Sequence, residues 1–287
     1  MKNEIINRFD ISFDSNEVDV NCVKFLPGDK WLYYNIYLNQ NSFDECILNI
    51  SDLLNNLGDH NFFFTRYVDE YKLDHLRIRI KCNEEGLEEV MSNLNLLFYS
   101  KPYIRSVSIE TYLREINRYG WPTIVDVENI FILDSKILCN VLNEGFLNND
   151  IDKLNFCLFG MNYYLDCFFN LEDKYRFVKL SKEGYFDEFN FDKESKKSLN
   201  KIFDLYFRGW SDIQINLSEN ILSLFSNKKH LILKLNEKFG EQELPKSIVW
   251  SLIHMFVNKI FSQQYRLYEL VCYDFLYKLL TKDKYYK

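Results

Sequence analysis

Alanine is absent from this 287-residue sequence, while Asn, Lys, Ile, Phe and Tyr are abundant. That bias is expected of an AT-rich coding genome and excludes no function by itself. No apolar run approaches the roughly 18 residues that a membrane-spanning helix needs, so no membrane span is expected. The first residues, MKNEIINRFDISFDS, lack the basic start and continuous apolar core of a secretory signal, and a cytoplasmic location is expected. The seven cysteines are odd in number and scattered, with no paired metal spacing, which argues against a disulfide framework and against a zinc site. There is no GxGxxG or phosphate-cradling P-loop, no GxSxG elbow and no HExxH. Dinucleotide-dependent hydride transfer, nucleotide hydrolysis and zinc proteolysis are therefore poor fits. No internal repeat, low-complexity tract or interdomain linker stands out.

What is present is a chain that can bury a large core, with 47% hydrophobic and 17% aromatic residues. Its net charge of −7 disfavours direct nucleic-acid binding, which draws on clustered Lys and Arg, so any cationic chemistry must be local. Residues 31–38 read as a buried strand after the turn Pro27-Gly28-Asp29. Ser42 to Leu57 carries a helical stripe of Phe43, Ile47, Ile50 and Leu54. Two strands follow at 62–67 and 75–82, then a helix over 86–99 and a strand near 107–112. This strand–helix–strand–strand–helix–strand order predicts an α+β fold with an antiparallel sheet. After Pro122 helical spacing takes over, with Thr123 expected to cap a helix and Asp126 at its third position. Residues 172–201, charged and Phe-rich, read as partly loop, and 246–280 has the strongest helical pattern. The expectation is one domain over 1–287, with a sheet lobe at 1–121 and a mainly helical lobe at 122–287 packed against it.

Three segments could carry chemistry. In a strand over His75 to Lys81, alternation puts His75, Arg77, Arg79 and Lys81 on one face and Leu76, Ile78 and Ile80 on the other. A solvated cationic face would show the same pattern. An anion site would too, since neighbouring cations repel and arginine grips a carboxylate with two prongs. Next, Glu110 and Tyr112 share a face. A helical turn after them would bring Glu115 beside Arg118, and Arg114 beside Arg118, either as surface pairs or as a braced arginine aimed at a ligand. Third, His254 and Asn258 lie four apart on an apolar helix, with Glu269 near the same stripe. His254 is either a hydrogen-bonded core residue or a general base. His60 and His230 read as surface residues.

Taken in order, these pieces resemble the C-terminal elimination domain of class I lanthipeptide dehydratases and the related thiopeptide-type bacteriocin biosynthesis proteins. The resemblance runs through Pro27-Gly28-Asp29-Lys-Trp31, Phe63-Phe-Thr-Arg66-Tyr67, His75-Leu-Arg77-Ile-Arg79 and Tyr112-Leu-Arg114-Glu115-Ile-Asn-Arg118-Tyr119-Gly120. It continues through Phe131-Ile-Leu-Asp134-Ser135, His254-Met-Phe-Val-Asn258-Lys259 and Arg266-Leu-Tyr-Glu269. It departs where Trp121 follows Gly120 and where Lys259 follows Asn258.

The resemblance implies elimination of glutamate from glutamylated Ser or Thr of a ribosomally made precursor peptide, leaving dehydroalanine or dehydrobutyrine without a cofactor or metal. It implies that Arg79 and Arg118 bind the glutamyl group, with Arg77 close by, Glu115 bracing Arg118, and His254 moving the proton. Arg66, His75, Arg114 and Asn258 are the other residues carried over to substrate binding. It further implies a split system whose separate protein performs glutamylation from glutamyl-tRNA, and a homodimeric assembly. Two alternatives stay open: a pyridine synthase that joins two dehydroalanines with leader release, and a non-catalytic partner that binds leader peptide.

Overall fold

The computed structural model describes residues 22–58, 60–82, 86–207, 215–239 and 245–285. Residues 1–21, on which the signal-peptide reading rests, lie outside the described residues. Strands β1 (Lys24–Phe25), β2 (Trp31–Leu38), β3 (Asn61–Val68), β4 (Asp74–Lys81), β5 (Ile104–Glu110) and β6 (Tyr112–Leu113) alternate with helices α1 (Phe43–Asn56) and α2 (Leu87–Ser100). The main sheet has the order β3-β4-β2-β5, antiparallel throughout. β4 is thus inserted between β2 and β3, the split-βαβ arrangement of ferredoxin-like sheets. The expected strand at 107–112 is two strands. β5 ends at Glu110, and Tyr112–Leu113 instead pairs with β1 as a separate ribbon.

Alternation in β2 and β4 decides which residues are available for function. Leu32, Tyr34 and Ile36, with Leu76, Ile78 and Ile80, are buried on one face, where Tyr34 meets Phe98 of α2 edge-on. The opposite face is built in cross-strand rows: Glu110, Tyr33, Arg79 and Phe63; then Ser108, Asn35, Arg77 and Thr65; then Ser106, Tyr37, His75 and Tyr67. Each cation on β4 therefore has an aromatic or hydroxyl neighbour across the pleat.

The remainder is helical: a short turn α3 (Ile116–Tyr119), then α4 (Ile124–Asn143), α5 (Asp150–Phe168), α6 (Leu171–Glu188), α7 (Lys193–Tyr206), α8 (Glu219–Glu237), α9 (Lys246–Ile260) and α10 (Tyr265–Tyr285). The chain is α+β, with the sheet in its N-terminal part and helices after it. Among the described residues, no helix is long and apolar enough to cross a membrane, and all six buried cysteines and the half-buried Cys22 are free.

Residues 172–201 leave the helix at 189–192, as a partly looped reading expects, and are helical otherwise because Asn170 and Asp192 cap α6 and α7 by accepting from the Asp173 and Ser195 N–H groups, 3.0 and 2.7 Å away. Two expectations are corrected. Thr123 does not cap α4, since its hydroxyl donates back to the Tyr119 carbonyl. The long C-terminal segment breaks at the polar stretch Ser262-Gln263-Gln264, where Gln264 takes φ +49° and turns the chain so that α10 returns beside α9.

Inside the helices, α5 and α9 approach closely at Gly160, where a Cβ would sit 2.1 Å from the Phe256 ring, so only glycine fits. The fully buried Lys228 Nζ lies 3.1 Å from Asp134, which also accepts from the Tyr164 hydroxyl at 2.6 Å, tying α4, α5 and α8 together.

Candidate active site

A cleft of about 170 Å³ opens where the cationic face of β4 meets α3, α4 and α9. Arg77, Arg79, Glu115, Arg118 and His254 line it together, and Arg66 and Asn258 also reach its wall. Segments separated by some 170 residues thus converge on one space. His75 and Arg114 do not line it.

Arg79 sits under a roof of rings, with its guanidinium carbon 4.4 Å from the Tyr33 centroid, 5.4 Å from Phe63 and 5.7 Å from Tyr112. One terminal nitrogen donates to the Thr65 hydroxyl at 3.3 Å, and its buried Nε has no partner among the described residues. The Arg77 guanidinium carbon lies over the Tyr67 ring, 3.4 Å from its centroid. Among the described residues neither guanidinium has a carboxylate within ion-pair distance. Ring faces stabilise a cation by about 0.5–2 kcal/mol without neutralising it, so both arginines keep their charge directed at the cleft. Arg118 pairs with Glu115 at 2.9 Å, both about half exposed, so this bridge is open to solvent and to exchange with a ligand.

His75 is 1% exposed and lies between the Tyr37 and Tyr67 rings. Burial lowers its pKa. Its Nδ1 is 3.3 Å from the Leu73 carbonyl and its Nε2 accepts from Arg77 Nε at 3.2 Å. Expected as one of four cations in a row, it is a neutral acceptor that aims Arg77.

Arg114 does not neighbour Arg118. Glu115 (φ −79°, ψ 57°) precedes the α3 turn in a non-helical conformation, which sends Arg114 inward. There it grips Glu128 with two bonds of 2.8 and 2.7 Å, and Glu128 also accepts from the Tyr112 hydroxyl. Arg66 is likewise engaged. Its guanidinium donates to the Lys259 carbonyl, Ser262 Oγ and Asp44 at 2.8, 2.7 and 2.5 Å, closing the C-terminus of α9. Asn258 binds the backbone of Arg66 with both ends of its amide.

These contacts pin α9 to the edge of β3 one turn away from His254. The His254 Nδ1 lies 2.9 Å from a carboxylate oxygen of Glu269, a residue 1% exposed on α10. An ionised carboxylate only accepts, so the proton in this contact is the one on Nδ1. Burial, followed by the negative charge of the same carboxylate, raises the Tyr185 pKa.

Beneath the cleft, Lys259 is 1% exposed, its Nζ has no partner among the described residues, and the Phe64 and Phe131 rings lie 5.7 and 5.1 Å away. Burial pushes its pKa down to about 7, against the pull of Asp134. Sequence reasoning marked Lys259 only as a departure and missed Glu128, whose signal was a carboxylate inside the apolar stripe of α4. The rings over Arg79 had no signal before strand register was known. Among the described residues no three His, Cys, Asp or Glu side chains form a metal-holding group.

Residues 31–280 match the family described as lantibiotic biosynthesis dehydratase C-term. The chain belongs to this lantibiotic dehydratase C-terminal family. It is 30% identical over an alignment of 277 residues to the nisin biosynthesis protein NisB of Lactococcus lactis subsp. lactis, covering 91% of this chain and 26% of that protein. It is 26% identical over 225 residues to the epidermin biosynthesis protein EpiB of Staphylococcus epidermidis, covering 74% of this chain and 22% of that one. The chain therefore spans about a quarter of the length of these lantibiotic biosynthesis relatives. In fold it is similar to the tRNA-dependent lantibiotic dehydratase MibB from Microbispora sp. 107891 (TM-score 0.64, 16% identity, 90% of this chain and 28% of that chain). It is also similar to TbtD, the pyridine synthase from thiomuracin biosynthesis (TM-score 0.58, 11% identity, 88% and 98%).

Proposed function

We propose that the cleft eliminates glutamate from glutamyl esters of Ser or Thr in a precursor peptide. The observation that carries this reading is the convergence of Arg77, Arg79 and Arg118 with a histidine whose Nδ1 is held by a buried carboxylate. His254 Nε2 takes the Cα proton. The C–H electron pair forms the Cα=Cβ bond, the Cβ–O bond breaks, and glutamate leaves as a carboxylate that carries the Cβ–O pair. Cation charge close to the departing anion lowers the barrier, and the imidazolium formed at His254 is stabilised by Glu269. Arg77, Arg79 and Arg118 hold the glutamyl group, and Glu115 releases Arg118 to it. In the split arrangement a separate glutamyl-tRNA-dependent protein supplies the ester, and the elimination protein works in the cytoplasm as a homodimer.

The test is mass spectrometry of a Ser-glutamylated peptide incubated with purified protein and no tRNA. Loss of glutamic acid, abolished in Arg79→Ala and His254→Ala, is the expected result. An unchanged ester beside an active control domain would overturn the reading. The pyridine-synthase alternative draws support from the fold shared with TbtD. It makes no use of three guanidinium groups, and turnover of a bis-dehydroalanine peptide would reveal it.

A further inference from the structure

A second chamber of about 660 Å³ adjoins the arginine cleft, walled by α6, α9 and α10. Arg118 and His254 line both, so the two spaces meet at the proposed base. Their chemistry differs. The small cleft is cationic and ringed by aromatics, whereas the larger chamber presents Leu180, half exposed, and the Trp250 ring, while its Arg118 is paired with Glu115 and its Glu269 with His254. The Trp250 indole N–H is already spent on Ser181 Oγ at 2.6 Å, so its ring faces offer apolar contact only. At the rim, Arg266 and Glu188 neutralise each other through a two-pronged bridge.

Gly184 leaves the chamber open. A Cβ built there meets no atom within 4 Å. Glycine in a helix interior costs about 1 kcal/mol relative to alanine, and no turn or close approach requires it at this position.

A substrate peptide could also lie along the sheet edge. At Arg66 that edge is closed, because the Asn258 amide already occupies both backbone groups of β3 that an added strand would use. The walls of the larger chamber are helices, whose backbone groups are bonded internally, so recognition there must come through side-chain contact.

We propose that this chamber seats the residue flanking the one being eliminated and prefers an apolar side chain there. The proposal rests on the elimination reading for the identity of its occupant, a peptide. Consecutive Cα atoms are about 3.8 Å apart, so with the reacting Cα at His254, which both spaces share, the chamber is within reach of a neighbouring side chain.

The experiment uses the full chain and two capped hexapeptides with a central Ser, flanked either by leucines or by asparagines, which are polar but carry no charge for the arginines to attract, each as the free alcohol and as the glutamyl ester. Calorimetry with the free alcohols reads binding without chemistry. The Leu-flanked peptide should bind the wild type about tenfold more tightly than the Asn-flanked one. Gly184→Leu, which fills the chamber, should erase that difference, and Leu180→Asp, which makes the wall polar, should shrink it. Circular dichroism confirms that each variant is folded. Equal binding of both peptides by the wild type, or a preference that survives Gly184→Leu, would overturn the chamber assignment. Turnover of the esters is scored separately. Leu-selective binding without turnover would sink the elimination reading and leave the chamber standing, while turnover without selectivity would do the opposite.

Discussion

The side-chain amide of Asn258 bonds both the N–H and the carbonyl of Arg66, at 3.0 and 2.9 Å, and so takes the place of a neighbouring strand at the edge of β3. Asn258→Ala would bury two unpaired backbone groups. A loss of about 2–4 kcal/mol is expected by urea denaturation. Asn258→Asp, which keeps the acceptor and loses the donor, should fare no better than alanine.

Arg79 and Arg114 are both arginines near the same sheet, yet their substitutions should fail in opposite ways. Arg114→Met strands the buried Glu128 carboxylate and should cost about 3–5 kcal/mol of stability. Arg79→Ala breaks no ion pair among the described residues, so its melting temperature should stay within a few degrees. Its kcat/KM for a glutamyl ester should fall at least a hundredfold, and Arg79→Lys should recover only part of that because the two-pronged grip is lost. A folded, inactive Arg114 variant would contradict this division.

Glu269→Gln removes the charge that fixes the His254 tautomer while keeping the side chain's shape. The expected result is a fall in kcat of about 10²–10⁴ with little change in KM. Nitrogen-15 spectra of His254 should show the ring proton no longer confined to Nδ1. Unchanged spectra with lost activity would mean that Glu269 acts in some other way.

Lys259 makes stability depend on pH in a direction opposite to that of a salt-bridged lysine. Its pKa is about 7 in the fold and near 10.4 in an unfolded chain. Below pH 7 both states carry the proton, and the fold bears the whole penalty of a buried ammonium. Between pH 7 and 10 the unfolded chain binds more protons, so stability rises with pH. Lys259→Met should therefore stabilise the protein most at or below pH 7, by something of order 4 kcal/mol. That advantage should shrink steadily towards pH 10, as thermal melts of both proteins would show.

Much of the sheet was legible because alternation has a period of two and its signal is local. The strand His75–Lys81 already separated Leu76, Ile78 and Ile80 from the arginines, and the helical stripe of α1 was equally plain. What could not be read was anything depending on where one element meets another. His75 alternates with the cations, yet two tyrosines that pair with it across the sheet bury it and make it neutral. Arg114 and Arg118 are four apart, yet the backbone at Glu115 is not helical and sends them apart. The α9–α10 break was hidden because polar Ser262-Gln263-Gln264 is too short to interrupt a periodic pattern. That break is what brings Glu269 back to His254.

The rings over Arg77 and Arg79 have a consequence for the empty protein. An arginine partnered by a carboxylate surrenders its field, whereas one resting on tyrosine and phenylalanine does not. The cleft therefore behaves like a bead of anion-exchange resin set into an acidic chain. Before substrate arrives it draws on whatever small anions the surrounding solution offers. Its occupancy is a competition, and the salt in the buffer is one of the competitors.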